Sequence, residues 1–185
     1  MALTTNIAAM YRRPRQVVRG LMAMGQREDR ALFFLLLGCA LMFVAQWPRL
    51  ARQANEQPEI GEEVCASANT PAEMCDAVSE AMRALVGSAL MGWVFVVPLA
   101  LYVIAGLTRL IARLIGGKGT WYSARLALFW ALLASVPMWL LSGMVAGFIG
   151  PGLQLSLTSG IASAVFLLFW IIGLTETERQ RPETL

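Results

Sequence analysis

The chain has no histidine and only one lysine among its 185 residues, and charged residues make up just 15% of it. Haem b, catalytic zinc and imidazole acid–base chemistry normally depend on histidine, so the sequence argues against these classes of site. No aspartate or glutamate occurs between Arg83 and Glu176. We therefore predict no catalytic residue, no metal site and no cofactor.

Apolar residues take the place of the missing charge, with 57% hydrophobic residues and a mean hydropathy of +0.60. A soluble domain averages ~25% charged and ~45–50% apolar residues. A bilayer core about 30 Å thick needs ~20 apolar residues of helix, and four segments qualify: 31–47, 84–107, 126–148 and 153–174. The first is expected to stop at Pro48. The predicted fold is all-α, a polytopic four-helix membrane bundle over residues 31–174, with an N-terminal amphipathic interfacial helix.

Basic residues are concentrated on one side of these spans. Six arginines lie in residues 1–30, four cations in the connector 109–125 and two in the tail 175–185. The loop 48–83 has three arginines and seven carboxylates. Because lysine and arginine accumulate in cytoplasmic loops, we predict cytoplasmic termini, a periplasmic loop 48–83 and a location in a bacterial inner membrane.

The N-terminal segment 3–25 has the pattern of an amphipathic helix, in which Pro14 suits the first turn of a new helix. The apolar residues on its inward face are Val17, Val18, Leu21 and Met22. Such a helix is predicted to anchor to anionic lipid or to dock a partner at the cytoplasmic surface. The alternative is that these arginines only set the topology of the chain, as basic residues in cytoplasmic segments generally do.

The loop 48–83 contains two cysteines, Cys65 and Cys75, on the side assigned to the oxidising periplasm. We predict a disulfide that stabilises this loop by ~2–3 kcal/mol. Free thiols and a thiol-oxidising membrane enzyme are the alternatives, although such an enzyme usually has a close-spaced reactive pair. The residues Thr70, Pro71 and Glu73 form a capping pattern that predicts a helix start between the cysteines.

Prolines and glycines interrupt the apolar spans. Pro98 and Pro137 lie mid-span in the second and third spans and are predicted to kink them. Gly143 and Gly147 form a G-x-x-x-G pattern, and a similar small-residue pair begins at Gly160. These patterns predict close packing between the third and fourth spans, with contact between copies of the chain as the alternative.

The connector LTRLIARLIGGKGTWYSAR contains a glycine-rich stretch around the lone lysine. A phosphate-binding loop has the pattern G-x-x-x-x-G-K-[ST] after a strand. Here Ala112 occupies the first glycine position, and Gly119 follows Lys118 where serine or threonine is required. Gly116 and Gly117 instead predict the end of a helix, so the stretch is interpreted as a hinge at the membrane surface.

Eight cations are predicted to face lipid headgroups or a partner at the cytoplasmic leaflet, each adding about 1 kcal/mol of attraction to an anionic surface. They are Arg12, Arg13, Arg15, Arg19, Arg109, Arg113, Lys118 and Arg125.

This arrangement resembles the bacterial branch of the Yip1 family of membrane proteins. The matching positions in the spans and connector are Pro98, Gly116, Gly117, Lys118, Gly119, Trp121, Arg125 and Pro137. The opening YRRPRQVVRGLM is similar to that family's proline before an amphipathic helix. Family members usually have five spans, whereas this chain has four and a cysteine-bearing loop. The resemblance implies an integral membrane protein without a known enzymatic activity.

The sequence therefore predicts a non-enzymatic inner-membrane protein that packs against other membrane proteins or organises lipid at the cytoplasmic leaflet. Its expected partners are membrane lipids, other integral membrane proteins and further copies of itself, with no nucleic acid. The alternative is a transporter or channel component for a neutral or apolar solute. Such a protein would need a water-accessible cavity lined by Ser88, Tyr102, Ser135 or Ser142.

Overall fold

A computed structural model describes residues 3–25, 27–71, 74–117 and 119–179. Within these ranges the chain forms helices and no strand. The helices are α1 (Leu3–Arg12), α2 (Pro14–Ala23), α3 (Glu28–Glu56), α4 (Glu59–Ser67), α5 (Ala77–Met91), α6 (Val97–Leu114), α7 (Trp121–Phe148) and α8 (Leu153–Arg179). Four stretches of the described chain are long and apolar enough to cross a membrane: Glu28–Glu56, Ala77–Leu114, Trp121–Phe148 and Leu153–Glu178. The predicted all-α bundle is confirmed.

Helix α7 forms the centre of the bundle, with α3, α6 and α8 packed against it. Within the most apolar stretch of α7, 56% of the residues are buried. The corresponding share is 11% for the span Ala77–Leu114 and 17% for α8. The side chains of Leu128, Phe129, Trp130 and Leu133 are fully enclosed. Most apolar residues of the second span, in contrast, lie on the outside of the bundle.

The two ends of the bundle differ in composition. We call the end formed by α2, the start of α3, residues 115–120 and the last turns of α8 the basic end. We call the opposite end, formed by α4, the start of α5 and the turn 149–152, the disulfide end.

Helices α3 and α7 run in the same direction and touch at their backbones. A Cβ atom on Gly143 would collide with the carbonyl group of Ala45, and one on Gly147 would collide with Pro48. Nothing lies within 4 Å of the position that a Cβ on Gly160 would take. The prediction that Gly143 and Gly147 pack the third span against the fourth is therefore wrong. These glycines instead allow α7 to approach α3, since small residues permit close helix contact.

Helix α3 continues through Pro48 to Glu56, so the predicted helix end at Pro48 is also wrong. A proline removes only its own backbone hydrogen bond, and packed neighbours make this tolerable in a membrane helix. Contact with Gly147 provides that packing. Helix α8 likewise extends to Arg179, past the predicted end of the span at residue 174.

The two mid-span prolines are accommodated differently. Before Pro98 the chain forms a five-residue π-helical turn, Gly92–Val96, which links α5 to α6 without interrupting the helix. Such a turn moves backbone groups away from the proline ring. Pro137 lies inside α7. Just before it, the carbonyl group of Ala134 accepts a hydrogen bond of 3.1 Å from the Tyr11 hydroxyl.

The N-terminal segment forms the two amphipathic helices α1 and α2, with Pro14 at the first position of α2 as predicted. Val18 and Leu21 on the inward face are buried. The segment does more than cover one end of the bundle, because the Tyr11 hydroxyl reaches Ala134 at the midpoint of α7. The Tyr11 ring also meets Phe169 of α8 edge-on, with centroids 5.1 Å apart. Helix α1 therefore packs alongside α7 and α8, which corrects the purely interfacial placement.

The disulfide end contains a helix that sequence patterns did not predict. Helix α4 packs on α5 so closely that a Cβ on Gly61 would collide with the carbonyl of Ala77. Helix α5 begins at Ala77, after an N-cap residue, Asp76. The Met74 N–H donates to the Pro71 carbonyl at 2.9 Å, so a turn begins near the predicted start, but it is not continuous with α5; Glu73 lies outside the described residues. The disulfide between Cys65 and Cys75 is confirmed, with Cα atoms 6.1 Å apart.

The disulfide gives the first testable expectation. A membrane-impermeant maleimide should label neither Cys65 nor Cys75 in intact cells until a reductant is added, because both sulfurs are bonded. The Cys65→Ser/Cys75→Ser variant should lose ~2–3 kcal/mol of loop stability. We expect proteolysis between α4 and α5 to become faster while the spans stay intact. A Cys39→Ser variant is the control, because this free cysteine is buried in α3. Labelling before reduction would contradict the pairing.

Candidate functional site at the basic end

The glycine-rich connector ends α6 as the sequence predicts. Gly116 has a φ of +87°, in the left-handed region that favours glycine. The Gly117 N–H donates to the Ala112 carbonyl at 2.8 Å, and the Gly116 N–H donates to the Arg113 carbonyl at 3.1 Å. These two bonds form a Schellman motif. The next helix, α7, begins with a capping box between Thr120 and Ser123.

The connector also binds a carboxylate of the same chain, that of Glu178. The Gly119 N–H donates to Oε2 of Glu178 at 2.8 Å. Arg109 Nη1 donates to both oxygens of this carboxylate, at 3.1 and 3.3 Å. A Cβ on Gly117 or Gly119 would overlap the carboxylate. The absence of side chains at these glycines is thus what lets the end of α8 dock beside α6.

Two further ion pairs connect helices at this end. Arg19 Nε contacts Oε1 of Glu176 at 2.5 Å, and Glu176 is only 2% exposed. This hydrogen bond and the charge of Glu176 raise the pKa of Arg19 above its usual value, so Arg19 stays charged. Arg125 contacts Glu28 at 2.6 Å. Three of the predicted headgroup cations, Arg19, Arg109 and Arg125, therefore have intramolecular partners.

The remaining predicted cations form a separate group. They are exposed and form no ion pair with any residue that the structure describes: Arg12, Arg13, Arg15 and Arg113. Arg15 and Arg113 lie near the basic end, whereas Arg12 and Arg13 directly follow Tyr11, which contacts the middle of α7. Lys118, the eighth predicted cation, lies outside the described residues. The structure thus separates guanidinium groups that hold helices together from guanidinium groups that face outward.

A cleft of about 450 Å³ opens between α2, α6 and α8 at this end. Its lining comes from the last turns of α6 and α8 and from Arg15 of α2. Its walls consist of Arg15, Thr108, Ala112, Leu174, Thr175, Glu176 and Glu178. The cleft therefore combines one outward-facing cation with two carboxylates that are already paired to Arg19 and Arg109.

The carboxylates of this site were missed in the sequence because orientation was derived from arginine and lysine alone. Glu28 lies just before the first span, and Glu176 and Glu178 lie just after the fourth. These carboxylates lie directly beside apolar spans on the side that is rich in arginine, and this position could have predicted ion pairs there. Their partners were not visible, since Arg109 and Glu178 are 69 residues apart and Arg19 and Glu176 are 157 residues apart.

The residues proposed to line a solute cavity do not come together. Ser135 has no exposed surface, and its hydroxyl donates to the Leu132 carbonyl at 2.8 Å. Ser88 lies exposed on α5. The Tyr102 ring packs on Phe129, with centroids 5.1 Å apart. Ser142 lines a cavity of about 180 Å³ between α3, α7 and α8, towards the disulfide end.

Among the residues described, no group of three or more histidine, cysteine, aspartate or glutamate side chains is arranged to hold a metal ion. No family model matches this chain, and neither does any curated protein or solved structure. The geometry of the basic end is therefore the basis for a functional proposal.

Proposed function

We propose that this protein is a non-catalytic, multi-pass membrane protein that organises anionic lipid at the cytoplasmic leaflet and packs laterally against other membrane proteins. In this proposal the basic end faces the cytoplasm of a bacterium, and the protein lies in the inner membrane. The observation that carries the proposal is the separation of the cations at the basic end into paired and outward-facing groups.

The outward-facing group is what an anionic membrane surface would contact. Arg12 is the last residue of α1 and Arg13 lies between α1 and α2. Arg15 lies on α2, and Arg113 lies in the last turn of α6. They are distributed over separate elements and carry no intramolecular ion-pair partner among the described residues. Each lysine or arginine near an anionic leaflet contributes about 1 kcal/mol of attraction.

The exposed flank of the second span supports the lateral part of the proposal. Only 11% of its most apolar stretch is buried within the chain. Large apolar side chains such as Phe95, Leu99 and Leu107 are more than half exposed. In a bilayer this surface contacts lipid or another transmembrane helix, and a second copy of the chain is one such partner.

The Yip1-like assignment belongs to the same proposal and is supported by the glycine and proline positions alone. The glycine hinge at Gly116 and Gly117 and the prolines at positions 98 and 137 are present as in that pattern. A solute pathway is not part of the proposal, because Ser135 is enclosed within the bundle and Ser88 faces outward.

The proposal is tested by neutralising two outward-facing arginines, Arg12→Gln and Arg113→Gln, in one variant. The protein is reconstituted in phosphatidylcholine vesicles that contain a minor fraction of phosphatidylglycerol. It is then extracted in mild detergent, and the retained lipids are quantified by mass spectrometry. We expect about a five-fold loss of phosphatidylglycerol enrichment for each arginine removed, corresponding to ~1 kcal/mol per charge.

The charge-matched control is Arg49→Gln with Arg83→Gln, which removes two exposed arginines at the disulfide end. This control should leave the enrichment unchanged. An equal loss in both variants would show that the lipid preference has no sidedness and would overturn the proposal. Retention of full enrichment by the Arg12→Gln/Arg113→Gln variant would do the same.

A further inference from the structure

We propose that the cavity between α3, α7 and α8, towards the disulfide end, binds one phospholipid molecule, with its phosphate on Arg49 and Gln46 and an ester carbonyl on Ser142. The inference goes beyond the proposed function, because it assigns a specific lipid site in the leaflet opposite the basic end. It assumes that the protein spans a membrane and does not depend on which end faces the cytoplasm.

The cavity has a volume of about 180 Å³ and a lining that is rich in hydrogen-bond donors. Its polar lining residues are Gln46, Arg49, Trp139, Ser142 and Ser159. Among the described residues that line it, Arg49 is the only charged one, and none is a carboxylate. A ligand of complementary chemistry is therefore an anion that carries oxygen acceptors.

Ser142 is a buried residue whose hydroxyl group has no partner. It is 5% exposed, lines the cavity and forms no hydrogen bond with a residue that the structure describes. Every other serine and threonine of α7 and α8 donates to a backbone carbonyl three or four residues earlier, as Ser135 does to Leu132 and Ser163 does to Ser159. A buried polar group without a partner costs free energy. The Ser142 hydroxyl therefore indicates a ligand in the cavity.

Gln46 and Arg49 supply further unused donors. They lie three residues apart on α3, and their side chains form no hydrogen bond or ion pair with the residues described. The next arginine of this helix, Arg52, is in contrast paired with Glu56. The guanidinium group carries five N–H donors and the amide carries two. A phosphate diester offers only acceptors, and an arginine can contact it with two parallel hydrogen bonds.

The level of Arg49 along the bundle matches that of a lipid headgroup. Ala45 lies beside Gly143, and Pro48 lies beside Gly147, which fixes the alignment of α3 with α7. Arg49 is therefore level with the last residue of α7, where the candidate span Trp121–Phe148 ends. Headgroups lie at the ends of spans. Arg49 is also exposed, so the cavity reaches the surface of the bundle at this level.

The Ser142 hydroxyl lies deeper than the guanidinium group. Ser142 precedes the last residue of α7 by six positions, which at about 1.5 Å per residue places it about 9 Å further into the span. A phospholipid presents its acceptors in the same order, with the phosphate at the surface and the ester carbonyls of the glycerol below it. This order favours a phospholipid over a free phosphate ion, which has no acceptor for the deeper donor.

The volume of the cavity limits which part of the lipid enters it. Sites that enclose a drug-sized ligand measure about 300–1,000 Å³, which is more than the cavity offers. The cavity can therefore hold the phosphate and glycerol, and the acyl chains must lie along the helices. Leu41 of α3 and Phe166 of α8, both further towards the bundle centre, are partly exposed and provide an apolar surface for them.

The test titrates the full-length protein, purified without lipid in dodecyl maltoside, with dioleoyl phosphatidylcholine. Native mass spectrometry counts the lipids bound to each molecule. We expect one lipid to bind before all others. Ser142→Ala should weaken this first binding about five-fold and Arg49→Gln about ten-fold, the usual effects of losing a neutral and a charged hydrogen bond. Ser142→Ala should not lower the melting temperature of the lipid-free protein, because the hydroxyl has no partner in the chain.

An ether-linked analogue of the same lipid, which lacks the ester carbonyls, tests the contact with Ser142. The wild-type protein should bind this analogue about five-fold more weakly than the ester lipid, whereas Ser142→Ala should bind both equally. The matched controls are Ser163→Ala and Arg83→Gln, which should both behave as the wild type. Ser163 already bonds its own helix, Arg83 is paired with Glu80, and neither lines the cavity.

The outcomes separate this inference from the proposed function. Equal first binding in the wild type, Ser142→Ala and Arg49→Gln, or an ester preference that persists in Ser142→Ala, overturns the phospholipid site. Inorganic phosphate in ten-fold excess should not displace the lipid; if it does, the ligand is a free phosphate and the lipid assignment is wrong.

The phosphatidylglycerol test with Arg12→Gln/Arg113→Gln changes no residue of this cavity and can succeed or fail on its own. Arg49→Gln removes a contact with the phosphate that phosphatidylcholine and phosphatidylglycerol share. It should therefore lower the retention of both lipids alike and leave the phosphatidylglycerol enrichment unchanged.

Discussion

Replacing Gly143 with alanine is expected to destabilise the bundle by ~1–3 kcal/mol, the usual cost of overpacking a close contact. The added methyl group would occupy the space of the Ala45 carbonyl. Because the obstacle is backbone rather than a mobile side chain, α3 and α7 must separate along their length. Thermal denaturation in mild detergent, followed by the loss of the monodisperse protein, measures the effect.

Gly160→Ala is the matched control for this substitution. It places the same methyl group on α8, where nothing lies within 4 Å. Relief from the helix penalty of glycine should leave this variant unchanged or raise its stability by up to ~1 kcal/mol. Gly143→Ala should therefore lower the melting temperature, and Gly160→Ala should not. Equal melting temperatures would show that α3 and α7 are not in backbone contact at Gly143.

Removing one partner of the Arg109–Glu178 pair is expected to have the largest effect of any charge substitution. Arg109 is 8% exposed, and its guanidinium group holds both oxygens of Glu178. Removing one member of a buried pair typically costs ~3–5 kcal/mol, since the other charge is left without compensation. Arg109→Leu should therefore lower the unfolding free energy strongly and release the end of α8 from the glycine connector.

A double-mutant cycle separates the interaction energy of the Arg109–Glu178 pair from the cost of leaving one buried charge unpaired. Arg109→Leu/Glu178→Leu should be more stable than Arg109→Leu alone, because no unpaired carboxylate remains at the connector. The exposed pair Arg83–Glu80 at the disulfide end provides the reference, and its loss should cost only ~0.3–0.5 kcal/mol. If both pairs gave the same small value, the Arg109–Glu178 pair would be no more than a surface contact.

The features that follow local rules were predictable from the sequence. Apolar length predicted the helices that can span a membrane, and Gly116 predicted the end of α6, since only the residue and its neighbours decide a left-handed turn. The predicted pairing of Cys65 with Cys75 was also confirmed, because a separation of ten positions in the sequence keeps the two sulfurs within reach. Each of these predictions depends on a short stretch of chain.

The features that depend on which helices meet were not predictable. The G-x-x-x-G pattern identified a close-packing face, but chain order suggested α8 as its partner, whereas the partner is the parallel helix α3. The ion pairs at the basic end join residues far apart in the sequence. Helix α3 passes through Pro48 because a contact with Gly147 supports it. Proline, small-residue and charge patterns indicate which contacts a helix can accommodate. The tertiary fold determines which helix or side chain makes each contact.

The docking of α1 and α2 against α8 has a consequence for how the protein is made. Arg19 and Glu176 are 157 residues apart, so at ~5–20 residues per second the ribosome completes the partner roughly 8–30 s after the arginine. Throughout that interval α8 is not yet present for α1 and α2 to pack against. Their arginines are then free to orient the nascent chain in the membrane. Helices α1 and α2 are thus made well before α8 but can dock on it only after it emerges, so their placement is a late step of assembly.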